Sequence, residues 1–261
     1  MCDELILCES PRPGVQVWTL NRPEKLNALS SAMLQRLDHL LKAATSEHAL
    51  RCVILTGAGA KAFVAGADIA ELEAFSPVEA QQFSRAGQRM MRGIELLGKP
   101  VIARIQGFAL GGGLELAMCC HLRIGSDKAR LGLPEITLGL LPGFGGTQRL
   151  LRLAGRAATL EMCLLGKPVD AERALQLGLL ARVVEADRLD QEIEAIADQL
   201  AASAPHALAG ILDAVLVGGE CSAEEGMDYE SKAFALCCTT ADMREGTRAF
   251  LERRKPEFTG K

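Results

Sequence analysis

Two glutamates stand in surroundings that carry almost no charge. Glu115 lies in Phe108-Ala109-Leu110-Gly111-Gly112-Gly113-Leu114-Glu115-Leu116-Ala117-Met118, where every other position is apolar or glycine. Glu135 lies in the nearly as apolar Leu131-Gly132-Leu133-Pro134-Glu135-Ile136. A carboxyl group taken out of water disfavours its charged form, so its pKa rises and it can exchange a proton near neutrality. Two such groups can hold opposite protonation states and serve as a general acid and a general base. The competing expectation for either is a structural ion pair, with Arg104 or Arg149 as the buried partner.

The glycines beside Glu115 suggest a second element of the same chemistry. Gly111-Gly112-Gly113 follows a strand and opens a short apolar helix, whose first N–H groups have no acceptor within the helix. A second small-residue turn, Ala65-Gly66-Ala67-Asp68-Ile69, follows the strand that ends at Thr56. Two such turns can each offer one N–H to a single oxygen, which is how developing oxyanions are stabilised. Other chemistries find little support. Gly57-Ala58-Gly59 lacks the third glycine and the opening helix of a dinucleotide fingerprint. The chain has no Gly-Lys-Ser/Thr phosphate loop and no Gly-x-Ser-x-Gly nucleophile turn.

The elements that must position these groups alternate in type. Val15–Leu20 alternates as a half-buried strand, and Cys52–Thr56, Val101–Ile105 and Leu122–Gly125 read as short strands. Ser30–Ala44 has the apolar spacing of an amphipathic helix. Ser76-Pro77-Val78-Glu79 is a capping box with proline at the first helical position, and that helix should end near Gly98, ahead of Pro100. From Leu189 onward only helical patterns occur, one of them opened by the capping box Ser222–Glu225. The pattern predicts an α/β core, residues 1–188, with a helical region over 189–261.

Composition narrows the function. The 261 residues, 49% hydrophobic and 24% charged, suit one large or two small globular domains and exclude a disordered chain. A net charge of -4 with 4% aromatics leaves no footprint for nucleic acid. No apolar run is long enough for a membrane span, and the acidic start Met1-Cys2-Asp3-Glu4 lacks the basic region of a secretory signal, so a cytoplasmic protein is expected. Nine cysteines, an odd number without a Cys-x-x-Cys pair, argue against a disulfide framework, and four scattered histidines argue against a metal site. His121, beside Cys119-Cys120, is expected to be a satisfied core histidine.

Several motifs together resemble the crotonase, or enoyl-CoA hydratase/isomerase, superfamily, and within it the enoyl-CoA hydratases. They are Asn21-Arg22-Pro23-Glu24-Lys25-Leu26-Asn27-Ala28-Leu29, the Ala65–Ile69 turn, Ile105–Ala117, and Pro134-Glu135-Ile136 with Pro142-Gly143-Phe144-Gly145-Gly146-Thr147-Gln148-Arg149. The likeness extends to the tail Ala249–Lys255. It implies a spiral of ββα repeats closed by C-terminal helices, and a homohexamer built as a dimer of trimers. The implied substrate is an acyl-CoA thioester, with no cofactor beyond the coenzyme A it carries. It places oxyanion-hole amides on Ala67 and Gly112, catalytic carboxylates on Glu115 and Glu135, and a water-holding amide on Gly143. Coenzyme A contacts map to Lys25, Ala65, Gly66, Asp68 and Ile69, with Phe250 and Arg253 covering a site, of the same or an adjacent subunit. Retention of both glutamates favours hydration of a trans-2-enoyl-CoA over Δ3-Δ2 isomerisation. A non-catalytic RNA-binding or scaffold role is the alternative of another class.

Overall fold

The apolar runs build two sheets, and the second is made of strands too short to read from the sequence. The computed structural model describes residues 4–261, so the Met1–Asp3 part of the acidic start lies outside the described residues. The chain begins with an antiparallel pair, β1 (Ile6–Arg12) and β2 (Val15–Leu20), and then α1 (Ser31–Ser46). Three turns of one pattern follow. β3 (Cys52–Gly57) and β4 (Ala62–Val64) lead into α2 (Ile69–Ala74) and α3 (Pro77–Glu95). β5 (Val101–Ile105) and β6 (Phe108–Leu110) lead into α4 (Gly112–Cys119). β7 (Leu122–Ser126) and β8 (Arg130–Gly132) lead into α5 (Gly146–Leu165). Next come β9 (Val169–Asp170), α6 (Ala171–Gln176), β10 (Arg182–Val184) and α7 (Leu189–Ala201), then α8 (Pro205–Leu216), α9 (Ala223–Cys237) and α10 (Ala241–Glu252).

In each turn of the pattern the first strand joins one sheet and the second joins the other. The larger sheet runs β1-β2-β3-β5-β7-β10, parallel from β2 onward. The smaller runs β4-β6-β8-β9, parallel except for β9. This is the ββα spiral that the resemblance implies. The Ala65–Ile69 turn therefore follows β4, not the strand ending at Thr56 directly.

The larger sheet is covered on both faces, which explains strands that read as continuous apolar runs. Val53, Leu55, Val101 and Ala103 point into the main core with Trp18, whereas Cys52, Ile54, Ile102 and Ile124 meet Leu189, Ile193, Ile196 and Ala197 of α7. Both capping boxes form: Ser76 with Glu79 at α3, and Ser222 with Glu225 at α9. α3 ends at Glu95, three residues before the expected Gly98. His121 is neutral in this setting: its Nδ1 accepts from the Val101 N–H at 2.9 Å and its Nε2 meets the Glu95 carbonyl at 3.2 Å. Among the described residues no three His, Cys, Asp or Glu side chains are placed to hold a metal ion. Among them, too, no single helix is long and apolar enough to cross a membrane.

Candidate active site

α4 is a core helix, with all eight of its residues buried. It can start where it does because Gly111 takes φ +52°, ψ −126°, a conformation open to glycine alone. It can also press against β4, because Gly113 has no side chain: a Cβ there would stand 2.0 Å from the Val64 carbonyl oxygen. These two glycines set the depth of the helix, and thereby the positions of Gly112 and Glu115 one turn apart.

Glu115 is 1% exposed, and it is not held by an arginine. Its Oε1 accepts from the Phe144 and Gly146 N–H groups, both at 2.7 Å, and Oε2 has no hydrogen-bond partner among the described residues. The expected ion pair is therefore absent. Arg149 binds Glu95 at 2.5 Å and the Phe144 carbonyl at 2.7 Å, and Arg104 binds Asp190 at 2.5 Å. Arg149 thus acts on the glutamate through the loop, fixing the carbonyl of the residue whose amide holds Oε1. The other side of that loop is fixed by α3, where Ser84 Oγ and Gln88 Nε2 donate to the Gly143 carbonyl at 2.5 and 3.0 Å. The sequence reading names Phe144 and Gly146 only as members of a motif, with no role, and does not mark Ser84 and Gln88. The glycine-rich run Gly143–Gly146 was the available signal for the first two, and nothing marked the others.

Burial pushes the Glu115 pKa up to about 7, with the two amides opposing it and the Glu135 charge adding to it. Glu135 enters from a separate 3₁₀ turn, Glu135–Leu138, and burial raises its pKa as well. Both of its carboxyl oxygens are buried without a partner among the described residues, and Oε1 lies 3.2 Å from where a Cβ on Gly111 would be. Unsatisfied buried oxygens are costly and rare, so they mark a place built for a ligand or a proton.

The amides of the two small-residue turns complete the arrangement. A parallel bridge pairs Leu29 with Ala67: Leu29 N–H donates to the Gly66 carbonyl and Asp68 N–H donates to the Leu29 carbonyl, both at 2.8 Å. Neither bond uses the Ala67 N–H. Gly112 is the first residue of α4, and its N–H has no acceptor within the helix. Ala67, Gly112, Glu115 and Glu135 all border one cleft of about 270 Å³, and so do Ala65, Gly66, Ile69 and Gly143. Leucines and phenylalanines make up most of the remaining wall.

Four predicted positions lie outside this cleft. Asp68 caps α2 and pairs with Arg22 at 2.7 Å and Lys25 at 3.2 Å, and the Arg22 hydrogen bond is the main reason its pKa is lowered. Lys25 is thus engaged at the rim. Phe250 on α10 is 82% exposed, and Arg253 caps that helix in a left-handed conformation. Neither borders the cleft of its own chain.

The raised Glu115 pKa carries a stability consequence. Between its unfolded value of 4.5 and about 7, the folded chain holds a proton that the unfolded chain has released. Stability from this group is therefore present below pH 4.5 and lost as pH rises through 7. Glu115→Gln should remove the loss, since its side-chain oxygen can still accept both amides. Denaturant titrations should find the variant more stable than the parent at pH 8, by up to about 3 kcal/mol, with the advantage shrinking toward pH 5. An equal or larger advantage at pH 5 would show that proton linkage is not the cause.

Comparison with known proteins agrees with this geometry. The family model described as enoyl-CoA hydratase/isomerase matches residues 11–261. A short-chain-enoyl-CoA hydratase of Clostridium acetobutylicum is 43% identical over 93% of each chain, and a crotonyl-CoA hydratase of Syntrophomonas wolfei is 41% identical over 93% of each. The crystal structure of an enoyl-CoA hydratase from Bacillus anthracis superimposes with a TM-score of 0.95 at 37% identity, covering 99% of this chain and 100% of that one. With the two-sheet spiral and the two-glutamate cleft already in view, these matches place the chain in the enoyl-CoA hydratase/isomerase family.

Proposed function

We infer that this protein catalyses the reversible syn hydration of trans-2-enoyl-CoA to (3S)-3-hydroxyacyl-CoA. The observation that carries the reading is the pairing of two buried carboxyls of raised pKa with two unused amides around one apolar cleft. The thioester oxygen accepts from the Ala67 and Gly112 N–H groups, which stabilise the enolate-like charge as it develops, by about 3–4 kcal/mol per donor. Glu115, anchored at Oε1, orients water through Oε2 and takes its proton as the oxygen bonds to Cβ. Glu135 delivers a proton to Cα. The coupled pair then resets by proton exchange, so no metal or redox group enters the balance. Gly143 offers a further amide to the water. Lys25 and the Ala65–Ile69 turn meet the coenzyme A portion of the substrate.

The exposed apolar residues of α8 to α10, among them Ile211, Val215, Phe234, Leu236, Phe250 and Leu251, support burial against another subunit, and the family resemblance makes that assembly a homohexamer built as a dimer of trimers. In that assembly Phe250 and Arg253 reach a neighbouring site. The test of function is loss of conjugated enoyl absorbance with crotonyl-CoA. Rapid loss, with the (3S) product, supports the reading. Faster turnover of the 3-enoyl isomer than of the 2-enoyl substrate would assign the site to Δ3-Δ2 isomerisation instead.

A further inference from the structure

We propose that the Phe83 ring is the partition that sets acyl-chain length in this protein, restricting it to short-chain thioesters of about four to six carbons. The inference rests on the enoyl-CoA reading of the cleft and adds the dimension of the substrate to it. The cleft that holds both glutamates measures about 270 Å³, below the range of about 300–1,000 Å³ usual for ligand sites, and it must accommodate the thioester as well as the acyl chain. Phe83 of α3 borders it. Phe83 also borders a second cavity of about 420 Å³ between α1 and α3, an open groove whose apolar side is formed by Leu34, Phe75 and Met90 and whose rim carries Asp38, Glu79 and Arg89. Phe83 is the one residue that lines both the catalytic cleft and this larger, partly apolar space, which the reaction does not otherwise use.

The ring is held in place. It packs against Phe75 with centroids 5.2 Å apart and meets Phe144 at 5.1 Å edge-on. Phe144 in turn has no room to yield, because its ring lies against the α3 backbone where Gly87 has no side chain: a Cβ there would come within 2.3 Å of it. Since the Phe144 N–H also holds Glu115, a chain long enough to displace Phe83 would disturb the residue that positions the glutamate. Longer substrates therefore lose both fit and catalysis. Removing the ring joins the two spaces, and the alkyl end of a longer chain occupies the cavity beyond.

The experiment measures kcat/KM for trans-2-enoyl-CoAs of four, six, eight and ten carbons with the parent, Phe83→Ala and Phe83→Leu. The parent should fall at least about tenfold from four to eight carbons. Phe83→Ala should raise the eight-to-four ratio at least tenfold, since each methylene seated in apolar surroundings is worth about fourfold. Phe83→Leu should move the ratio the same way by less, and it decides the matter if the alanine variant does not fold. Adding Ala86→Phe to Phe83→Ala should refill the outer cavity and erase the gain. A parent that turns over eight carbons as well as four, or ratios unmoved by the folded variants, overturns the proposal. Calorimetry with the unreactive butyryl-CoA and octanoyl-CoA separates this from the reading beneath it. A preference for butyryl-CoA that Phe83→Ala reverses, in a protein that hydrates no enoyl-CoA, would uphold the partition and remove the hydratase. Absence of binding to either thioester would remove both.

Discussion

Glu135→Gln should lower kcat for crotonyl-CoA hydration by about 10²–10⁴-fold, and Glu115→Gln should do so to a similar degree. Glutamine keeps the shape and the hydrogen-bonding oxygen of the carboxyl but cannot move a proton at these positions. Neither change should unfold the chain. The oxygen at 115 can still accept from Phe144 and Gly146, and the carboxyl oxygens at 135 have no partner to lose. The two variants are distinguishable by isotope exchange. With a saturated acyl-CoA in deuterated water, exchange at Cα should vanish in Glu135→Gln and persist in Glu115→Gln, since only Glu135 is assigned to that carbon. Loss in Glu115→Gln with persistence in Glu135→Gln would reverse the assignment of roles, and persistence in both would remove Cα exchange from either glutamate alone. Hydration within fivefold of the parent in either variant would remove that residue from the chemistry.

Gly113→Ala should cost both stability and rate, although no atom of residue 113 takes part in the chemistry. The added Cβ would lie 2.0 Å from a backbone oxygen, whereas ordinary contact begins at 3.4 Å, so α4 and β4 must part by more than an ångström. Overpacking of this kind costs about 1–3 kcal/mol, and more when backbone rather than side chain must move. The movement carries Gly112 and Glu115 with it, and a misplacement of about 1 Å in a reacting group is worth roughly 10²-fold in rate. Thermal melts and kcat for crotonyl-CoA should therefore fall together. Gly219→Ala is the control, since a Cβ there meets nothing within 4 Å and should leave both unchanged. A Gly113→Ala protein with parental melting and turnover would mean that α4 can retreat without moving its site.

What could be read from the residues follows from the range of the forces involved. The strands Cys52–Thr56 and Val101–Ile105 were legible because burial on both faces writes a continuous apolar run, and both capping boxes because their hydrogen bonds span three residues. The smaller sheet was not legible. Its strands are two or three residues long, too short for any period, and they exist only because neighbours far along the chain pair with them. The unusual setting of Glu115 showed in its apolar neighbours, but the groups that hold it did not. An arginine was the natural candidate, and the structure supplies two backbone amides instead, whose direction depends on how the Gly143–Gly146 loop is pinned by Ser84, Gln88 and Arg149. Phe250 and Arg253 came forward only through family likeness, and they lie away from the cleft of their own chain.

The two glutamates differ in how freely evolution can alter them. Gly112 and Glu115 share one buried helix that is wedged against β4, so neither can be repositioned without rebuilding the core around it. Glu135 sits at the head of a 3₁₀ turn whose next residues, Ile136 to Leu138, are exposed, with Thr137 and Leu138 on the cleft wall, and its carboxyl oxygens have no hydrogen-bond partner among the described residues. A lineage could exchange that one side chain, keep the pair of amides proposed to stabilise a thioester enolate, and so acquire a different outcome for the same intermediate at little structural cost. Under the proposed mechanism the scaffold thereby divides into a fixed half that creates the reactive species and a variable half that decides its fate.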